Sequence, residues 1–513
     1  MHPDSPPAAP GQGPRWFQLF LGSCPTWYKA TIIGFLALNA ALFLVLRGVA
    51  PASAGFVVGW MIVAEFIFCL AMALKCYPLL PGGLIALEAL VLGLTTPAHL
   101  YAETASNLKV ILLLVFVVAG VGLLKEWLSA VFTALLLAVR SKIALSLSFV
   151  LAGAVLSAFL DALTVIAVMI TVCLGFWNAY NAWRSQSGSD DDAELHEFRA
   201  FLRNLVMHAA VGTALGGVMT VVGEPQNLMI ADSVQRTLAE SRPDLAGRWD
   251  FLGFILRMAP ITMPTLAIGL ATTVLIERFR LLGYGARLPE RVREVLVAHA
   301  RELAAKRTAT DRLRLWMQGA CALLLIGALA FHVAEVGIIG LFLIVLAATF
   351  TGVSDEHRIG QRFSEALPFT ALLVVFFAVV AVIADQGLFR PIIDRVLAQD
   401  AQGQLIGFYL ANAALSAISD NVFVATVFMN EAVAAHQATC IDANQLERLA
   451  VAINIGTNLP SVATPNGQAA FLFLLTSALA APIRLGYIEM LVLAFPYAVT
   501  LTAASLALVW CCA

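Results

Sequence analysis

Apolar runs long enough to cross a bilayer alternate with short polar connections along nearly the whole chain. A spanning helix needs about 20 apolar residues, and the runs 28–47, 55–74, 82–98, 107–136, 252–276, 315–332, 335–353, 368–384 and 484–511 meet or approach that length. The run 107–136 is long enough to tilt or to continue as an interfacial helix. Other stretches are interrupted. Ile143–Asn178 is apolar but broken by Ser157, Asp161 and Thr164, and its 36 residues exceed one comfortable span. It predicts a re-entrant hairpin, 143–178, with its tip near Asp161, and 404–435 around Asp420 predicts a second. The run 203–230 ends in the polar Gly223-Glu224-Pro225-Gln226-Asn227, and 447–480 is broken at Pro460 and Pro465. Proline cannot continue a regular helix there. Residues 232–250 read as a polar loop.

These runs amount to about 11 crossings plus two hairpins. The fold class expected is an all-α polytopic membrane protein with broken helices near the midplane. Two stretches repeat: LSAFLDALTV, from Leu156, returns as LSAISDNVFV from Leu415, 259 positions later. Each copy is followed by a helix-breaking polar segment, GEPQN (223–227) and ATPNG (463–467). A hairpin enters and leaves on one side, and an odd number of crossings separates the two, so the repeats must be inverted, as in many secondary transporters. The division expected is a disordered tail 1–27, an extra first helix 28–54, a first repeat 55–276, a cytoplasmic loop 277–314 and a second repeat 315–513.

Composition agrees with this reading. Of the 513 residues, 60% are hydrophobic and only 12% charged, against roughly 25% charge in a soluble domain. The net charge of -2 gives no support for a nucleic-acid partner. The eight cysteines are scattered, without CxxC or Cys/His metal spacing, and adjacent Cys511-Cys512 read as apolar filler. The Pro/Gly-rich start lacks a charged n-region and a cleavage site, so the first apolar run stays as a membrane helix. The segment 277–314 holds ten Lys/Arg against five Asp/Glu and is long enough for a surface helix. It falls on one side with Lys75, Arg140, Lys142, Arg184, Arg199, Arg358, Arg362 and Arg484. The positive-inside rule makes that side cytoplasmic. The N-terminus is then cytoplasmic and the C-terminus periplasmic.

An ionised carboxylate amid apolar residues is costly, at least ~2.5 kcal/mol at a bilayer centre, so Asp161 and Asp420 are the leading candidate ion residues. Desolvation favours the neutral acid and a bound cation favours the carboxylate. One Asp can therefore hold a proton or Na⁺ but rarely both, which is the physical core of an exchanger. Backbone carbonyls and half-helix C-terminal ends left free at the breaks are expected to help hold Na⁺. Thr164, Asn421, Asn227, Thr464 and Asn466 offer neutral oxygens, and Glu224 a third carboxylate. Gln226, Asn458, Ser461 and Gln468 are weaker versions of the same idea. Glu65, Glu88, Glu335, Asp385 and Glu431 are read as span-end or interface charges, and His208 and His332 as packing or hydrogen-bonding residues. No phosphate-binding loop occurs, so an ion gradient, not ATP, must drive any active transport.

At these residues the chain resembles the NhaB family of sodium/proton antiporters, within the broader ion transporter superfamily. The resemblance runs from AEFIFCLAMALKCYPLLPGGL (64–84) onward. It includes LSAFLDALTV, HAAVGTALGGVMTVVGEPQNLMIA (208–231), LSAISDNVFV and NIGTNLPSVATPNGQAAFLFLLTSALA (454–480). It implies electrogenic extrusion of Na⁺, and of Li⁺, in exchange for H⁺ across a bacterial inner membrane, without a cofactor. It also implies a scaffold domain and a transport domain, with Asp161 matching the family's intramembrane aspartate. The oligomeric state stays open, a homodimer being one candidate. A carrier of organic anions or oxyanions in the same superfamily is the alternative, but two aspartates at the repeat centres suit cations. A membrane-embedded enzyme lacks a nucleophile–base pair or a metal-ligand cluster.

Overall fold

The computed structural model describes residues 14–187 and 191–513, and all regular structure among them is helical. Seven of these helices are long and apolar enough to cross a membrane, or eight if the bent pair Pro97–Ser106 and Leu108–Gly122 counts as one span. Leu79–Val91, Lys142–Ser157 and Val336–Thr351 are apolar but shorter. The run 107–136 is not one helix: it divides into Leu108–Gly122, with a π-helical turn at Leu113–Val117, and Lys125–Ala138. Gly340 lies so close that a Cβ there would meet the Val117 nitrogen at 2.6 Å. A π-turn is a known source of such local distortion.

Contacts divide the chain into two units, one holding residues up to Tyr101 with Val374–Leu388, the other Ala102–Leu373 with Phe389–Ala513. In the first unit, Thr26–Val49, Pro51–Ala71 and Leu79–Val91 pack together, and Cys24 is disulfide-bonded to Cys76. The even scatter of cysteines gave no hint of that pairing. Of the tail expected at 1–27, residues 1–13 lie outside the described residues. The remainder is not formless, because Arg15–Leu19 is helical and Lys29 donates to the carbonyls of Phe17 and Gln18 at 3.3 and 3.0 Å.

The second unit contains both helix–break–helix hairpins. In the first, Lys142–Ser157 and Ala162–Ser187 flank a break at 158–161. Lys142 sits 4.9 Å from the Phe201 ring, and the Tyr180 ring is 5.0 Å from Phe198, so the outer ends of both arms lie beside the same turns of Asp192–Gly217. The chain therefore reverses at the break. The longer arm continues past its partner to the surface helix Glu290–Lys306, where Arg291 stacks on Trp183. In the second hairpin, Ala401–Ser416 and Asn421–Gln437 flank 417–420. Gln445 hydrogen-bonds Gln404 at 2.9 Å, and His436 reaches Ser241 at 3.0 Å.

The last helix, Tyr487–Cys512, fixes the relation between them. Its Glu489 pairs with Arg203 at 3.1 Å, beside the outer end of the first hairpin. Its Trp510 carbonyl accepts from Gln402, and the Ala513 carbonyl accepts from Arg448 at 3.0 Å, beside the outer end of the second. Its 26 residues span about 39 Å at 1.5 Å per residue. The two hairpins enter this unit from opposite ends.

Each hairpin lies against a helix that breaks at its level. The first runs Asp192–Gly217, breaks at 218–224, and resumes as Pro225–Ser241. The polar loop expected from 232 is thus mostly helix. Leu228, Ile230, Val234 and Leu238 are buried along it, while Glu240 faces out. The second runs Ala443–Asn458, a 3-10 turn at Pro460–Ala463, and Ala469–Thr476. Glycine sets the closeness of each pair. A Cβ on Gly216 would meet the Ala154 carbonyl oxygen at 1.8 Å, and one on Gly456 would meet that of Tyr409 at 2.8 Å.

Candidate ion site

The four helices that resume after a break all begin at one place. Ala162–Ser187, Pro225–Ser241, Asn421–Gln437 and Ala469–Thr476 present their first residues to a cavity of about 20 Å³. Asp161, Leu163, Glu224, Gln226, Phe369, Asp420, Asn421, Gly467 and Ala469 are among its lining residues. That volume is about one water-sized particle.

Three of the four N-terminal positions are acidic. Asp161 Oδ2 accepts from the Thr164 N–H at 3.1 Å, with the Thr164 hydroxyl at 3.5 Å. Asp420 Oδ1 accepts from the N–H groups of Val422 and Phe423 at 2.8 and 3.3 Å. Glu224 occupies the N-cap of its helix without a capping bond, and its buried Oε1 has no hydrogen-bond partner. The fourth position is the neutral Gln468. A helix N-terminus carries about +0.5 charge, so four converging ends supply about +2. Against three ionised carboxylates this leaves about -1, the complement of one monovalent cation. No Lys or Arg is among the residues lining the cavity. It is the N-terminal helix ends that meet here, and at the hairpin tips two carbonyls each accept a threonine hydroxyl. The Ala158 carbonyl accepts from the Thr220 hydroxyl and the Ala417 carbonyl from Thr464.

Those two threonines reveal the true register of the repeats. Thr220 Oγ1 also accepts from the Gly223 N–H at 3.2 Å, and Thr464 Oγ1 from the Gly467 N–H at 3.1 Å. A Cβ on Gly223 would meet the Gly217 carbonyl at 2.3 Å, and one on Gly467 the Ser461 carbonyl at 2.5 Å. Across the broken helices, then, Thr220 matches Thr464, Gly223 matches Gly467, Glu224 matches Gln468 and Gly217 matches Ser461. The segments GEPQN and ATPNG therefore correspond through Gly223 and Gly467, and not through their prolines. Thr220 was missed because a lone Thr in an apolar run reads as packing.

The same register exposes an asymmetry. In the second repeat, Gln468 Nε2 donates to Ser461 Oγ and the Asn458 carbonyl, both at 2.9 Å. In the first, the serine is replaced by Gly217, and the carboxylate that replaces the glutamine keeps an unpartnered oxygen. Ser157 Oγ, also buried and unpartnered, adjoins the same space: a Cβ on Gly217 would lie 3.2 Å from both Ser157 Oγ and Glu224 Oε1. Ser157 entered the sequence reading only as an interruption.

The remaining candidates divide. Asn421 lines the cavity, its Nδ2 3.4 Å from Ser461 Oγ and its Oδ1 without a partner. Gln226, also on the wall, donates to Asn458 Oδ1 at 2.8 Å. Asn227 lies off the cavity and ties the break together, donating to the Gly217 and Thr220 carbonyls, both at 2.7 Å. Thr464 is a staple between break and hairpin tip, and Asn466 Nδ2 lies 3.5 Å from the Tyr487 hydroxyl. Neither lines the cavity.

A second buried polar cluster was hidden in the sequence at the edge of the segment 277–314. Glu277 belongs to Phe251–Phe279 and is buried, 2.6 Å from His208 Nε2, 3.0 Å from Lys142 Nζ and 2.9 Å from the Ser146 hydroxyl. His208 Nδ1 lies 2.8 Å from the Tyr497 hydroxyl. These contacts bind the first hairpin arm, the first broken helix and Phe251–Phe279 together.

Comparison with known proteins places this architecture. Residues 12–511 match the family described as Bacterial Na+/H+ antiporter B (NhaB). Relatives named Na(+)/H(+) antiporter NhaB include one from Escherichia fergusonii, 54% identical over 95% of this chain and 93% of its own length. Another, from Klebsiella pneumoniae subsp. pneumoniae, is 56% identical over 94% of this chain and 92% of its own. Two solved structures are similar at a TM-score of 0.49: the YdaH transporter of Alcanivorax borkumensis, 15% identical over 80% of this chain and 86% of that one, and MtrF of Neisseria gonorrhoeae, 14% identical over 83% and 84%. The chain belongs to the bacterial NhaB family and is a multi-pass membrane Na⁺/H⁺ antiporter.

Proposed function

We propose that Na⁺ and H⁺ take turns in the cavity ringed by Asp161, Glu224 and Asp420. The observation that carries this reading is a one-particle cavity walled by three carboxylates, one of which keeps a buried, unpartnered oxygen. Sodium is held by Asp161 and Glu224, with Ser157 and Asn421 as neutral donors and Asp420 closing the far wall. Thr164 fixes the Asp161 rotamer. Asn227, Thr464 and Asn466 hold the broken segments in place. Protonation of the carboxylates removes the charge that holds Na⁺, so the two ions compete, and alternating exposure of the cavity to either side turns competition into exchange. More than one carboxylate proton leaving against one Na⁺ makes the cycle electrogenic. Li⁺, with the same charge and liking for oxygen, is a second substrate. No cofactor and no covalent chemistry are required, so the chain is a carrier and not an enzyme.

In the orientation this reading favours, the end bearing Lys142, Arg184, Arg199, Arg203 and the helix Glu290–Lys306 is cytoplasmic, on the positive-inside rule. The membrane is the bacterial inner membrane. The N-terminus lies inside and the C-terminus outside, and the first hairpin enters from the cytoplasm. The test is the pH dependence of Na⁺ affinity in proteoliposomes. Competition predicts that the apparent KM for Na⁺ rises steadily as pH falls. A KM that stays constant while only the maximal rate changes would remove the shared site.

A further inference from the structure

We infer that Asn39, Glu65 and Glu88 form a proton-binding site in the first unit, in which the two glutamates share one proton. The three residues come from Thr26–Val49, Pro51–Ala71 and Leu79–Val91. Asn39 Nδ2 donates to Glu65 Oε2 at 2.7 Å and to Glu88 Oε2 at 3.0 Å. Asn39 is fully buried and Glu65 only 4% exposed. An amide nitrogen has two hydrogens, and here each is committed to one carboxylate. Glu65 Oε1 and Asn39 Oδ1 are left buried with no hydrogen-bond partner. These two orphan acceptors lie on two different helices.

Two ionised carboxylates bridged by one neutral amide would place two negative charges side by side, that of Glu65 buried and that of Glu88 half-buried among apolar helices, which is expensive. A proton shared by the pair removes one charge and supplies the missing donor. A metal ion is disfavoured, because the amide hydrogens point into the space between the carboxylates where it would have to sit. The other titratable groups nearby do not compensate. Cys69, one turn along Pro51–Ala71, is the thiol facing Glu65, with the Tyr28 phenol beyond it. Asp385, in the Val374–Leu388 segment, is engaged by the Thr95 hydroxyl at 2.7 Å and His99 at 2.9 Å. Lys29 is turned to the carbonyls of Phe17 and Gln18. The site shares no residue with the cavity of Asp161 and gives the chain a second place to bind H⁺.

The test is infrared titration of the full-length protein in lipid bilayers, reading the absorption of protonated, buried carboxyl groups. Wild type should show such a band for this pair, beside those of Asp161, Glu224 and Asp420, and it should bleach as pH rises. In Glu65→Gln or Glu88→Gln the remaining carboxylate has two amides as donors and stays ionised, so the band should be lost from either variant. Glu65→Asp keeps the pair and should keep the band at a shifted midpoint, which also guards against a variant that merely misfolds. Asp161→Asn should leave the band in place, so failure of the sodium site and failure of this one leave different traces. A band unchanged in both glutamine variants would overturn the inference. So would a band in Asp161→Asn that disappears on adding NaCl at constant pH, since that would mark a cation site.

Discussion

Gly217→Ser would make the first repeat resemble the second, where Ser461 satisfies Gln468. A Cβ at Gly217 would lie 3.1 Å from Glu224 Cγ and 3.2 Å from Glu224 Oε1 and Ser157 Oγ, so the side chain fits only if these neighbours give by a few tenths of an ångström. Once there, the new hydroxyl can donate to the orphaned Glu224 oxygen. A hydrogen bond to a charged group contributes roughly 1.5–3 kcal/mol. Sodium must displace it or share the carboxylate with it. At about 1.4 kcal/mol per tenfold, Na⁺ affinity should fall by about 10- to 100-fold. Gly217→Ala adds bulk but no donor, and should cost less. The assay is the KM for Na⁺ in proteoliposomes at fixed alkaline pH, beside a thermal-unfolding check that both variants remain folded. A folded serine variant whose KM stays within about twofold of wild type would show that Glu224 does not meet Na⁺, and the asymmetry between repeats would lose its functional meaning.

The other predictions rest on separate parts of the structure. Gly216→Ala places a Cβ 1.8 Å from the Ala154 carbonyl oxygen; overpacking costs about 1–3 kcal/mol even in milder cases, so a lower unfolding temperature and lost exchange are expected, and wild-type stability would refute the close contact. Lys142→Met removes the buried cation paired with Glu277 and leaves that carboxylate only His208 and the Ser146 and Gly285 donors. Breaking a buried pair costs about 3–5 kcal/mol, the remaining donors holding the loss to the lower part of that range; thermal unfolding in detergent should show it, with Glu277→Gln plus Lys142→Met recovering part of the loss. In a cysteine-free background, Ala298→Cys and Ser241→Cys should be labelled by an impermeant thiol reagent from opposite faces of the membrane, the second from outside; labelling of both from one face would refute the inverted arrangement.

The centres of the repeats were legible because a carboxylate in an apolar run stands out, and Asp161 and Asp420 do reach one cavity. Glu224 was legible for the same reason, helped by Pro225. The pairing of the two broken segments was not. Proline and asparagine caught the eye, whereas the features that set the register are backbone approaches at Gly223 and Gly467 and threonine staples to the hairpin tips. Neither leaves a periodic trace. The second half of Pro225–Ser241, from Asp232, reads as loop because its outer face is polar, although Val234 and Leu238 are buried along it. Glu277 was hidden by its neighbours, sitting where an apolar run meets a basic segment. The bridging amide of Asn39 depends on three helices, and no single stretch of sequence contains it.

The central claim is that Asp161 holds the exchanged ion. Its most direct test is Na⁺-driven proton movement in proteoliposomes carrying Asp161→Asn, a substitution that keeps side-chain size and one oxygen but cannot exchange a proton. The account predicts a folded protein in which a Na⁺ pulse no longer changes luminal pH at any gradient imposed. Coupled exchange by this variant at the wild-type rate would contradict it and move the coupling carboxylate to Glu224 or Asp420.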